Sequence, residues 1–230
     1  MKVEHVPVPA LRPSEYTATL IQGLRARAAW VRGADALEIG SGSGVVLATL
    51  GGLGAASLCG VDIEQKAVTL GVELLGKLGY GASSQVLCGD MWRPVAGRRF
   101  GLVTANLPHF PMTDPDISGR LPSWSDGGPD GRRLLDPFLG GLPDHLTPGG
   151  RAVIAHNGFV DLERSRALAA KGGLDLRIAC TTLVYVPDDK LEHMTDGVLK
   201  REEGRSIHRY GPYVFADMHI VEIGTAGALN

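Results

Sequence analysis

The sequence predicts an open, mainly parallel α/β sheet with helices on both faces. Three observations predict it. Short apolar runs alternate with segments of helical periodicity, the pattern of repeated β–α–β units. A glycine cluster, Gly40, Gly42 and Gly44, falls between the first such run and the helix that follows. Polar residues with side-chain oxygens, Asp62, Asp90 and Asn106, close the next three runs.

A first helix is expected over residues 14–30, with Ser14 as N-cap and Leu20, Ile21 and Leu24 at helical spacing. Strands follow at residues 36–39, 57–61, 85–88, 100–105 and 151–156. Helices are expected at 45–53, 64–78, 132–145 and 162–171, with Pro137 and Pro143 threatening to break the third into turns. A polar loop rich in proline and glycine covers 107–131, and Thr147-Pro148-Gly149-Gly150 reads as a turn. Two long β-like runs, 174–186 and 213–223, close the chain as an antiparallel hairpin around a polar insertion at 187–212. The expected fold is therefore Rossmann-like, with seven strands in one domain over residues 1–230 and a helical lead-in over 1–33. The insertion carries mixed charges and is expected to form a solvated surface, a lid or a dimer contact near the functional pocket.

Composition narrows the classes. The chain has 230 residues, 44% hydrophobic and 21% charged, which suits a globular protein with a sizeable core. A net charge of −2 argues against a general nucleic-acid surface. No apolar run reaches the roughly 18 residues of a membrane span. The start, Met1-Lys2-Val3-Glu4-His5, lacks a secretory leader pattern. Cys59, Cys88 and Cys180 fall in apolar runs without metal spacing, which predicts reduced, buried thiols and a cytoplasmic location. The histidines also lack ligand spacing, so no metal is assigned.

Glycines after a strand let the backbone turn sharply and approach a ligand, and the next helix offers unpaired amides and a partial positive charge. Such an end suits the carboxylate of an amino-acid-like ligand. The dinucleotide fingerprint fails, because its third glycine falls on Val45 or Leu47. Glu38-Ile39-Gly40-Ser41-Gly42-Ser43-Gly44 instead resembles the first motif of class I methyltransferases, which bind S-adenosylmethionine. That resemblance implies a cofactor site formed by Glu38, Gly40, Ser41, Gly42, Gly44, Asp62, Ile63, Asp90, Met91 and Asn106. Asp62 would accept from ribose hydroxyls and Asp90 from the adenine amino group, with Met91 or Trp92 packing on the adenine face.

Asn106-Leu107-Pro108-His109-Phe110 follows the fourth strand and resembles the Asn-Pro-Pro-Tyr motif of amino methyltransferases. Leu107 replaces the first proline and His109 the aromatic residue. The target of such a motif is a planar NH₂ group with a delocalised, weakly nucleophilic lone pair. The Asn106 oxygen and the Leu107 carbonyl can accept its two hydrogens, aim the nitrogen and stabilise developing positive charge. His109 could stack on the substrate or accept a proton, and Phe110 could also stack. The catalytic candidates are thus Asn106, Leu107, Pro108 and His109.

Pro13-Ser14-Glu15-Tyr16-Thr17, Asp126-Gly127-Gly128-Pro129-Asp130-Gly131, Leu134-Leu135-Asp136-Pro137-Phe138 and Leu146-Thr147-Pro148-Gly149-Gly150 resemble, in that order, segments of the HemK-like glutamine methyltransferases that modify release factors. Tyr16 stands where that family usually has aspartate. The resemblance places Glu15 and Thr17 near the cofactor and lets Gly127-Gly128 shape the pocket. It implies an S-adenosylmethionine-dependent enzyme with a protein acceptor and leaves room for a homodimer. A small-molecule acceptor with His109 as base, or a non-catalytic cofactor-binding module, remain alternatives.

Overall fold

The computed structural model describes residues 13–112 and 125–229. The first part of the expected lead-in and the middle of the expected loop at 107–131 lie outside the described residues. In chain order the elements are α1 (Glu15–Arg25), α2 (Ala28–Val31), β1 (Asp35–Ile39), α3 (Val45–Gly52), β2 (Ser57–Asp62), α4 (Gln65–Lys77), β3 (Ser84–Cys88), β4 (Phe100–Ala105), α5 (Leu135–His145), β5 (Leu146–Asn157), α6 (Leu162–Lys171), β6 (Asp175–Tyr185), α7 (Asp188–His193), α8 (Asp196–Glu202), β7 (Ile207–Tyr210), β8 (Tyr213–Gly224) and α9 (Ala226–Leu229).

The sheet runs β3-β2-β1-β4-β5-β8-β6, with β7 paired to β8. β1 to β5 are parallel, whereas β8 runs antiparallel to β5, β6 and β7. The described residues thus hold eight strands rather than the seven expected. The additional strand, β7, lies inside the polar insertion and turns through Gly211 into β8.

Alternation along each strand builds two cores. Leu37, Val103, Ile154 and Val221 face one side and pack with Phe138 and Leu142 of α5. Ala36, Leu102, Val153 and Ile220 face the other and pack with Leu24 of α1, Leu50 of α3 and Leu75 of α4. Truncating one of these fully buried leucines to alanine costs about 2–5 kcal/mol.

Tertiary contacts alter several local expectations. The expected first helix breaks after Arg25, because Arg27 leaves the helix to ion-pair with buried Glu222 on β8. The third expected helix begins only at Leu135, because Arg132 is drawn inward to the carbonyls of Val160 and Asp161. Pro143 does not break it, and Arg99 caps its end at the carbonyls of Pro143 and Leu146. Thr147-Pro148-Gly149-Gly150 bulges within the start of β5, where the register with β4 shifts. Cys59 is buried as expected, but Cys88 and Cys180 are exposed.

Candidate active site

The strand order reverses direction between β1 and β4, and ligands of doubly wound sheets sit in the crevice beyond that switch point. A cavity of about 380 Å³ opens there. It is lined by Thr17 from α1, by Glu38, Gly40, Ser41 and Gly42 after β1, by Asp62 and Ile63 after β2, by Asp90 and Met91 after β3, and by Asn106, Leu107 and Pro108 after β4. Residues far apart in sequence meet because four parallel strands end on the same side.

The glycine loop is tied down at its base. Gly40 and Ser41 donate to Val61 O at 2.8 and 3.1 Å, and Gly42 N donates to Asp62 Oδ2 at 2.8 Å. Asp62 Oδ1 accepts from Glu64 N at 2.9 Å, so backbone amides fix the carboxylate plane. Burial raises the Asp62 carboxyl above its ordinary range despite these bonds. Gly42 has φ +51, and a side chain there would project into open space. Gly44 does not line the cavity. It has φ +79, and a Cβ there would lie 3.0 Å from the Gly71 Cα, so its work is to let α3 and α4 approach.

Glu38 is buried, and burial pushes its carboxyl well above the usual range, opposed by a hydrogen bond from the Leu47 backbone. Its Oε2 and the hydroxyl of Ser41 have no hydrogen-bond partner among the described residues. Met91 adopts φ +47, a strained conformation for a side-chain-bearing residue and one that often marks function. Trp92 turns away from the cavity. It stacks on Phe138 and His145 and donates to Pro137 O at 3.2 Å, so of the two residues expected at an adenine face only Met91 lines it.

A second cavity of about 200 Å³ adjoins the first, and Ser14, Asn106, Leu107 and Pro108 line both. Glu15 lines only this one, so the structure separates it from Thr17. Asn106 therefore stands on the wall between two chambers. Its Nδ2 donates to Thr17 Oγ1 at 3.4 Å, which leaves Oδ1 as the group offered to a ligand.

His109 also lines the second cavity, and both of its ring nitrogens are engaged. Nε2 accepts from Asn157 N at 2.9 Å, and Nδ1–H donates to Leu107 O. Burial pulls the pKa down to about 4, so the ring is neutral at pH 7 with both nitrogens engaged. Gly127 packs behind it, with no room for a Cβ against the His109 backbone, and so shapes the pocket from outside.

No family model matches the chain. A Methanocaldococcus jannaschii protein, provisionally named protein N5-glutamine methyltransferase, is 36% identical over 121 residues, covering 52% of this chain and 60% of that protein. The human methyltransferase HEMK2 is 32% identical over 148 residues, covering 60% of this chain and 67% of that protein. The chain belongs to the HemK-like methyltransferase family. The match of this HemK-like chain spans less than two thirds of the archaeal relative's own length. Among solved structures, the E. cuniculi Mtq2–Trm112 complex, described as responsible for methylating the eRF1 translation termination factor, shares the fold. Its TM-score is 0.59 at 16% identity, covering 95% of this chain and 100% of that one.

Several residues of the second cavity escaped the sequence reading. Tyr16, Asn157, Tyr185 and Lys190 line the second cavity. Asn157 ends β5, and strand ends carry ligands in this fold, so that rule applied one residue beyond His156 would have found it. Tyr16 was visible as the departure within Pro13–Thr17. Lys190 comes from the polar insertion, and no local pattern brings it here.

Proposed function

We propose that this chain is an S-adenosylmethionine-dependent methyltransferase that modifies the side-chain amide of a glutamine in a protein. The observation that carries the reading is the position of Asn106, shared by two cavities, with its Nδ2 tied to Thr17 and its Oδ1 left to accept.

The larger cavity fits the cofactor. The partnerless Glu38 Oε2 calls for a donor such as the ammonium of the methionine end, and the open space beside Gly42 admits its carboxylate near the start of α3. Asp62 would hold the ribose, Asp90 the adenine amino group, and Met91 would pack on the base. Bound there, the cofactor supplies an electrophilic methyl on a sulfonium.

The protein's own contribution is orientation. Asn106 Oδ1 and Leu107 O accept the hydrogens of the acceptor NH₂ and aim its nitrogen at the first cavity. They also stabilise the positive charge that grows on nitrogen. Neither oxygen is a base at neutral pH, and both His109 nitrogens are engaged, so the nitrogen takes the methyl first, with its hydrogens held by the two oxygens, and the surplus proton then leaves to water. Pro108 and Phe110 wall the chamber. At about 200 Å³ it lies below the roughly 300–1,000 Å³ of small-molecule pockets, which favours the end of a side chain over a whole metabolite. The archaeal relative's name and the translation-factor substrate of the fold neighbour point the same way, and a cytoplasmic setting accords with such substrates. Neither the structure nor the relatives support a homodimer, and it forms no part of this reading.

The test is transfer of labelled methyl to translation termination factors, followed by mapping of the modified residue. Methylation of a glutamine amide is expected. Transfer to another residue type, or cofactor binding without transfer to any termination factor, would overturn the acceptor assignment.

A further inference from the structure

Behind the second cavity lies a chain of buried polar groups that methyl transfer does not itself use. It begins at Arg132, 3% exposed, whose guanidinium is held by Asp136 through an Nε bond of 2.7 Å. Arg132 Nη1 donates to Ser165 Oγ at 2.7 Å. Ser165 Oγ lies 2.8 Å from His156 Nε2, and His156 Nδ1 lies 2.8 Å from Asn157 O. Asn157 N donates to His109 Nε2 at 2.9 Å, and His109 Nδ1 meets Leu107 O.

Donor and acceptor chemistry allows one direction only. Asn157 O can only accept, so His156 carries its proton on Nδ1. Its neutral ring then accepts at Nε2, and the single hydroxyl hydrogen of Ser165 must point there. That hydroxyl can take this direction because Arg132 supplies a donor to its oxygen. At the other end, the backbone N–H of Asn157 makes His109 Nε2 an acceptor, so His109 too carries its proton on Nδ1 and donates it to Leu107 O. Five bonds thus link a fixed cation to one carbonyl, in two head-to-tail runs joined through the Asn157 backbone, whose C=O and N–H belong to adjacent peptide groups. His109, Asn157, His156 and Ser165 are all buried, and such links strengthen one another away from water. Burial keeps both imidazoles neutral at pH 7, and the charge of Arg132 acts in the same sense.

We propose that Ser165, His156 and Asn157, anchored on Arg132, are positioning residues that lock the His109 ring and, through it, aim the Leu107 carbonyl at the methyl acceptor. This role rests on the reading of the second cavity as the acceptor chamber. Leu107 follows the end of β4 in irregular chain, where its peptide plane would otherwise turn. Misplacing such an acceptor by about 1 Å is enough to lose ~10²-fold in rate. The relay is carried by β5 and α6, so the rigid sheet sets the geometry of a loop.

The test has two arms. Imidazole ¹⁵N shifts of the whole protein at pH 7 should show His109 and His156 as neutral Nδ1–H tautomers. Either ring charged, or protonated on Nε2, would overturn the relay. Ser165→Ala removes the only donor to His156 Nε2 among the described residues, while Asn157 O still holds the proton on Nδ1, so the His156 Nε2 resonance should shift with its Nδ1–H tautomer kept. Turnover should fall about ten-fold with cofactor affinity unchanged, and Ser165→Thr, which keeps the hydroxyl, should recover most of it. Unchanged turnover, or equal loss of cofactor affinity and turnover, would mean that the chain only supports packing. The tautomers are read without substrate, so the expected pattern in a protein that fails to methylate glutamine would sink the acceptor reading and leave the relay's geometry standing.

Discussion

Asn106 and Thr17, 89 residues apart, meet through an Nδ2–H···Oγ1 bond of 3.4 Å, and this contact decides which end of the Asn106 carboxamide faces a ligand. Asn106→Ala should cut turnover by ~10²-fold or more while cofactor affinity survives. Thr17→Val should give a smaller loss of the same kind. Single-turnover kinetics beside cofactor titration reads both. Full activity in Asn106→Ala would remove the residue from catalysis.

Asp62 holds the glycine loop through Gly42 N and is placed to accept from a ribose. Asp62→Ala should weaken cofactor binding by about 10–100-fold, the scale of one or two charge-assisted hydrogen bonds. Calorimetry with S-adenosylhomocysteine measures it. Unchanged affinity would place the ribose elsewhere.

Two loop glycines should fail in different ways. Gly44→Ala drives a methyl against the Gly71 backbone at a positive φ, so its main effect should be a lower Tm. Gly42→Ala meets positive-φ strain as well but places its methyl in open cavity space, so it should lose less Tm than Gly44→Ala and more cofactor affinity. Thermal melts with and without cofactor separate the two, and identical behaviour would contradict the division of labour.

The two buried histidines should contribute less to stability on mild acidification. His109 and His156 ordinarily titrate near 6.5, but burial lowers them to about 4 and about 3 in the folded protein. Between these values the unfolded chain binds more protons, so their contribution is complete above pH ~6.5 and erodes as pH falls toward ~4. The loss should reach a few kcal/mol, on the scale of about 1.4 kcal/mol per pKa unit. Glu38 and Asp62, raised by burial, act in the opposite sense. The difference between wild type and His156→Phe in urea unfolding from pH 7.5 to 5 isolates the histidine part. A pH-independent difference would mean that His156 is not held neutral by burial.

The helix over residues 162–171 and the strand over 100–105 appear in the structure with the limits read from sequence, because apolar periodicity and flanking turn residues are local. The glycine turn, Asp62, Asp90 and Asn106 were legible for a related reason, since strand ends in a parallel sheet converge on one edge. His109 was legible as a departure but not in its role. Its ionisation depends on burial, and its tautomer on an amide 48 residues away.

The sequence by itself determined the order of the main strands and helices, the glycine turn, and the asparagine that lines the cavity beside it. Each of these is set by neighbours along the chain. Only the tertiary structure decided that β8 slips between β5 and β6, that Arg27 leaves its helix for a glutamate 195 residues on, and that Asn157 links two histidines behind the acceptor chamber. Those outcomes depend on which polar groups folding removes from water. Once buried, each must find a partner, and partners are chosen by proximity in space rather than in sequence.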